Sequence, residues 1–153
     1  MTAASIPQLT PGHVGLNVTD LDRSIDFYRR ALGFEQIQVN SDGDRRYAFL
    51  GLEGTLRLTL WQQSEGEFSA TTPGLHHLAF LVDGIEQVRA AESALKELGV
   101  PFSYDGVVVH ADGMESGGIF FTDPDGIRLE VYAPTGVAAQ PSPHGADPSC
   151  GFF

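Results

Sequence analysis

The residues of this chain best suited to metal or acid–base chemistry are His13, His77, His110 and Glu130. In "GLHHLAFLV" (74–82) two adjacent histidines stand at the mouth of an apolar run, and strand alternation sends them to opposite sides. Leu78, Phe80 and Val82 take the face that suits a covering helix, so His77 shares the other face with Ala79 and Leu81, and His76 is expected opposite. In "HVGLNV" (13–18) the same parity groups His13 with Gly15 and Asn17, away from Val14, Leu16 and Val18. In "IRLEVY" (127–132) Leu129 and Val131 go to the core, which leaves Arg128, Glu130 and Tyr132 on the open face. In "TLRLTLWQ" (55–62) Leu58 and Leu60 go inward and Arg57, Thr59 and Trp61 outward. Parity alone therefore brings His13, His77 and Glu130 to one kind of surface. Two imidazoles and a carboxylate are the donor set that first-row divalent metals take in sites with open positions. Such a site suits a substrate with two adjacent oxygens. The alternative is an ion pair in which Arg128 or Arg57 offsets the desolvation of Glu130.

These residues are positioned by a unit written twice. After the first strand, "TDLDRSIDFYRRALGF" has Leu21, Ile25, Tyr28 and Leu32 at helical spacing, acids in the first turn, arginines in the last and Gly33 at the stop. Three strand-like runs follow, "EQIQVN", "RRYAFL" and "TLRLTLWQ", separated by "SDGD" and "GLEG". The second half repeats the plan. Strand "HLAFLV" precedes a helix with Ile85, Val88, Leu95 and Leu98 as its stripe, Asp83 and Glu86 as a capping pair, and Gly99 and Pro101 at its end. "YDGVVVH", "GGIFFT" and "IRLEVY" complete it. The fold class is therefore α+β, two tandem βαβββ modules over about 11–63 and 74–134, whose uncovered sheet faces form a cup. Residues 1–134 make one domain, and 135–153 a tail rich in Pro, Gly and Ser, a composition typical of disorder. Phe152 and Phe153 are unusual for a free tail and suit docking on the domain or on a neighbouring chain.

Composition limits the partners. A net charge of −11 repels phosphate backbones and anionic membranes, so neither nucleic acid nor membrane is expected. No apolar run approaches a membrane span, and the N-terminus lacks a basic and apolar leader, so a cytoplasmic location is expected. With Cys150 as the one cysteine, no intrachain disulfide or thiolate cluster forms. His110 and Tyr132 are the candidates for a catalytic role, His110 as acid or base or else as a solvent-facing strand-end residue. Asn17, Arg57, Thr59, Trp61, Phe120 and Arg128 are the candidate substrate pocket. "HADGMESGG" reads as a long hairpin connection or a lid.

"HVGLNVTDLDRSIDFYRRALGFE" and "FFTDPDGIRLEVYAP" resemble the recurring motifs of the vicinal oxygen chelate superfamily, which groups glyoxalases, bleomycin-resistance proteins, extradiol dioxygenases, fosfomycin-modifying enzymes and methylmalonyl-CoA epimerases. The likeness spans roughly residues 11 to 134. It implies a cup of paired βαβββ modules, a homodimer, a small-molecule substrate and one divalent metal per site (Fe, Mn, Zn, Ni or Co). The family's ligand positions fall here on His13, Thr59, His77 and Glu130. Thr59 departs from the carboxylate that glyoxalases carry there, and a neutral hydroxyl does not serve as their base, so a true glyoxalase is disfavoured. Phe120 stands nearest the tyrosine of the extradiol signature, which weakens ring cleavage. The fosfomycin-modifying enzymes share the three-ligand set. The bleomycin-binding branch, which binds its ligand without a metal triad, is the alternative function.

Overall fold

The computed structural model describes residues 7–153. The described residues divide into two compact units, 7–29 with 33–65 and 30–32 with 66–153. In the first unit, strands β1 (Val14–Asn17), β2 (Glu35–Asn40), β3 (Tyr47–Leu52) and β4 (Thr55–Trp61) form a sheet of order β1-β4-β3-β2. β1 runs parallel to β4, with Gly15 opposite Thr59, and the other pairs are antiparallel. Leu16, Val18, Leu50, Leu58 and Leu60 are buried, as alternation requires. Helix α1 (Leu21–Leu32) begins where the Asp20 carboxylate accepts the Arg23 N–H at 3.0 Å. It ends where Gly33, at φ 74°, returns its own N–H to the Arg29 carbonyl.

The second unit repeats this order. β5 (Leu78–Leu81), β6 (Val108–Val109), β7 (Gly117–Thr122) and β8 (Arg128–Ala133) make a sheet of order β5-β8-β7-β6. β5 is parallel to β8, and Ala79 stands opposite Glu130 as Gly15 stands opposite Thr59. That shared register makes His13 and His77 equivalent in the repeat, and likewise Thr59 and Glu130. Helix α2 (Ile85–Glu97) lies against β7 and β8 with Val88 and Leu95 fully buried. β7 packs tightly between its neighbours, because a side chain on Gly118 would run into the Val131 carbonyl and Tyr132.

Several expectations are corrected. α2 is capped by Gly84 with no side-chain hydrogen bond, so Asp83 and Glu86 do not form a capping pair. The strand expected over "YDGVVVH" shrinks to Val108–Val109, because Gly106 at φ 73° breaks the extended run. β5 starts at Leu78, so both histidines precede the strand and the alternation that separated them does not apply. The tail is packed rather than disordered. Val137, Ser142 and Ser149 are buried, and a short 3-10 turn spans Ser149–Gly151. Its low apolar content is offset by satisfied backbone groups. Ser149 donates its N–H to the His110 carbonyl and its hydroxyl to the Val109 carbonyl, both at 2.7 Å, while Asp112 accepts the Ser142 N–H at 2.7 Å.

Candidate functional site

Glu130 is the centre of the second unit's open face. It is only 2% exposed, flanked in β8 by the core residues Leu129 and Val131, and a buried carboxylate needs partners. Those partners are histidines. His110 Nε2 lies 2.5 Å from Oε1 of Glu130, and His77 Nε2 lies 3.7 Å from its Oε2. Neither arginine expected as the offsetting ion takes that role. Arg57 is exposed in the first unit, and Arg128 turns its guanidinium over the rings of Phe152 and Phe68. His110 is held at its other nitrogen as well, with Nδ1 2.8 Å from the Ser116 hydroxyl. Its ring stacks edge-on with Tyr132 at 5.2 Å.

His77 is set up to remain neutral. Burial is the main cause that holds its pKa below the ordinary 6.5, and it outweighs the opposing pull of Glu130; His76 and Arg128 push in the same direction as burial. His76, expected on the far side, instead places Nδ1 2.8 Å from Nδ1 of His77. If His77 donates in that contact, its Nε2 is unprotonated and could bind an ion placed between it and Glu130; if it accepts, Nε2–H faces the carboxylate instead. Among the described residues no group of three or more His, Cys, Asp and Glu is assembled to hold a metal. The chemistry of the His77–Glu130 pair nonetheless fits two coordination positions, one nitrogen and one oxygen.

The remaining candidates fall into two groups. In the second unit Phe120 is fully buried opposite Glu130, and Arg128 and Tyr132 are half-buried on the same face as Glu130. In the first unit Thr59 is buried and accepts the Trp61 indole N–H at 2.9 Å, while Trp61, Tyr47 and Phe49 form an aromatic cluster with ring centres 5.3 to 6.0 Å apart. Asn17 accepts the Gln63 N–H at 2.9 Å, and His13 is exposed just ahead of β1. Sequence reasoning did not reach Ser116, Tyr104 or the placement of Phe152. The Phe152 ring lies 5.7 Å from that of His77 and 5.4 Å from that of Phe120. The two phenylalanines ending a polar tail pointed to docking on the domain, but not to the side of His77 and Phe120 on which Phe152 packs.

The repeated fold that carries these residues has counterparts among known proteins. The trivalent organoarsenical cleaving enzyme of Bacillus sp. (strain MD1) is 32% identical over 139 residues, 90% of this chain and 80% of that protein. The lactoylglutathione lyase of Escherichia coli O157:H7 is 33% identical over 131 residues, 78% of this chain and 88% of that one. Among solved structures, a glyoxylase/bleomycin resistance protein/dioxygenase domain from Frankia sp. EAN1pec superposes with a TM-score of 0.71 at 26% identity, covering 85% of this chain and 93% of that one. Residues 10–131 match the sequence profile of the Glyoxalase/Bleomycin resistance protein/Dioxygenase superfamily, and the chain belongs to that superfamily.

Proposed function

We propose that the protein is a divalent-metal-dependent enzyme that chelates adjacent oxygens of a small organic substrate. The observation that carries this reading is the buried Glu130 carboxylate set against a neutral-favouring His77 and oriented by His110. His77 and Glu130 supply two ligands. His13, which holds in the first repeat the place of His77 in the second, supplies the third, from the same chain or from a second copy in a homodimer. A first-row ion bound there, iron, manganese, zinc, nickel or cobalt, supplies Lewis acidity towards charge developing on a chelated oxygen. The chain's own residues do the rest. His110 fixes the Glu130 carboxylate through Nε2 and is itself fixed by Ser116, so it acts as a positioning residue for the ligand and is no longer a free acid or base. Tyr132 borders His110 and is left to meet the substrate. Relatives of this chain are enzymes, including a lactoylglutathione lyase and a trivalent organoarsenical cleaving enzyme by name. Thr59 offers only a hydroxyl at the fourth position, which argues for chemistry other than that of a true glyoxalase.

The alternative is a metal-independent binding protein, favoured by the fact that the His110 hydrogen bond already offsets the burial of Glu130. Elemental analysis of untagged protein separates the two. The enzyme reading expects about one first-row metal per site in the parent, lost in His77→Ala and in Glu130→Gln. No uptake of any candidate ion on reconstitution would leave the binding protein standing.

A further inference from the structure

The C-terminal segment delivers one aromatic ring to the wall of the candidate site, and it is built to hold that ring there. Ser149 is fully buried and anchors the segment through its N–H, its hydroxyl and its carbonyl, the last accepting the Tyr104 hydroxyl at 2.8 Å. The Asp112 side chain and backbone fasten Ser142 and Gly145. From that anchor Phe152 turns back with φ at 54°, the left-handed conformation that closes the 3-10 turn and lets its N–H donate to the Ser149 carbonyl.

What surrounds the ring selects for an aromatic face and not merely for apolar bulk. The Arg128 guanidinium carbon stands 5.1 Å from the ring centre, Phe120 presents its edge at 5.4 Å, and His77 and His76 lie at 5.7 and 6.2 Å. A cavity of about 310 Å³, lined by Phe68, Tyr104, Thr122, Arg128 and Phe152 among others, adjoins the ring. Phe152 and Arg128 are therefore shared between that cavity and the imidazole wall. Withdrawing the Phe152 side chain would extend that cavity towards the His77 and Phe120 rings that it now contacts.

We propose that Phe152 occupies the aryl subsite of this site: the substrate carries an aromatic ring beside its chelating oxygens, and the C-terminal strap must release Phe152 for that ring to bind. The inference rests on His77 and Glu130 being the substrate site. The cation and ring edges that now hold Phe152 would hold the substrate ring in its place, and the adjoining cavity would take the ring's substituents. The strap acts as an internal competitor whose closed population lowers the apparent affinity for an aryl ligand.

The test compares benzohydroxamate with acetohydroxamate, which share the chelating oxygens and differ in the ring, on full-length parent and Phe152→Ala. Titrations of the cobalt(II)-loaded proteins are followed by visible absorption. Phe152→Ala is expected to bind benzohydroxamate roughly tenfold more tightly than the parent does, with acetohydroxamate little changed. A parallel arm follows hydrogen exchange at the Phe152 amide in the metal-free parent, where benzohydroxamate is expected to speed exchange and acetohydroxamate not. A protein that takes up no cobalt yet passes the exchange arm overturns the metal reading and keeps the subsite. Equal responses to the two probes in both arms, or none to either, overturn the subsite.

Discussion

At the scale of single residues, Glu130 is the side chain on which the site depends. Its strand parity marks it as a buried carboxylate, and that much was legible from "RLEVY", because a strand whose Leu129 and Val131 are core must turn its glutamate the other way. Its partners were not legible, since His110 approaches from a segment that is hardly strand at all. His110→Ala leaves Glu130 without its shortest contact. We expect a loss of about 10- to 100-fold in metal affinity, read by competition against a chromophoric chelator. His77 adds a pH dependence with a definite sign. Because its pKa is lowered, the neutral ligand form prevails at pH 7 and down to somewhat below the ordinary value of 6.5. Metal is therefore retained through that value and lost only on further acidification, which equilibrium dialysis across pH 5 to 8 would follow. Cys150 behaves in the opposite sense. Burial first, and the Glu130 charge second, raise its thiol above 9.0, so alkylation at pH 8 should be slower than for an unstructured cysteine. The stability associated with this thiol is intact below 9.0 and lost as pH rises through its folded value.

At the scale of elements, both helices were evident from their apolar stripes, yet only one start was. Asp20 caps α1 through the Arg23 N–H, whereas Asp83 does nothing equivalent for α2, whose first residue follows an extended Gly84. Short-range capping signals are weak wherever a glycine can take the cap position. Asp20→Ala is expected to cost about 1 kcal/mol in urea unfolding, and Asp83→Ala a few tenths at most. The two histidines show the same limit on alternation. Parity separates residues only inside a strand, and β5 begins at Leu78, beyond both His76 and His77. Gly15 and Ala79, by contrast, hold the equivalent register positions that the repeat implied.

At the scale of the whole molecule, the internal repeat was the strongest feature of the sequence, and the family match over residues 10–131 agrees with it. The tail was the weakest. Its Pro, Gly and Ser content describes a chain unable to build its own core, but not one that borrows hydrogen-bond partners from Val109, His110 and Asp112. No helix among the described residues is long and apolar enough to cross a membrane. Leu81 is 62% exposed and Leu75 39%, apolar surface that a second copy would cover in the proposed homodimer. Sedimentation equilibrium is expected to give twice the chain mass of 16.5 kDa, and Leu81→Asp to shift it towards the monomer.

The proposed coordination of one metal ion by His13, His77 and Glu130 is tested most directly by X-ray absorption at the metal edge. The zinc-reconstituted parent should show nitrogen and oxygen scatterers at about 2.0–2.2 Å with two imidazoles, falling to one in either His13→Ala or His77→Ala. A sulfur scatterer near ~2.3 Å, or an imidazole count that neither substitution changes, would contradict the account.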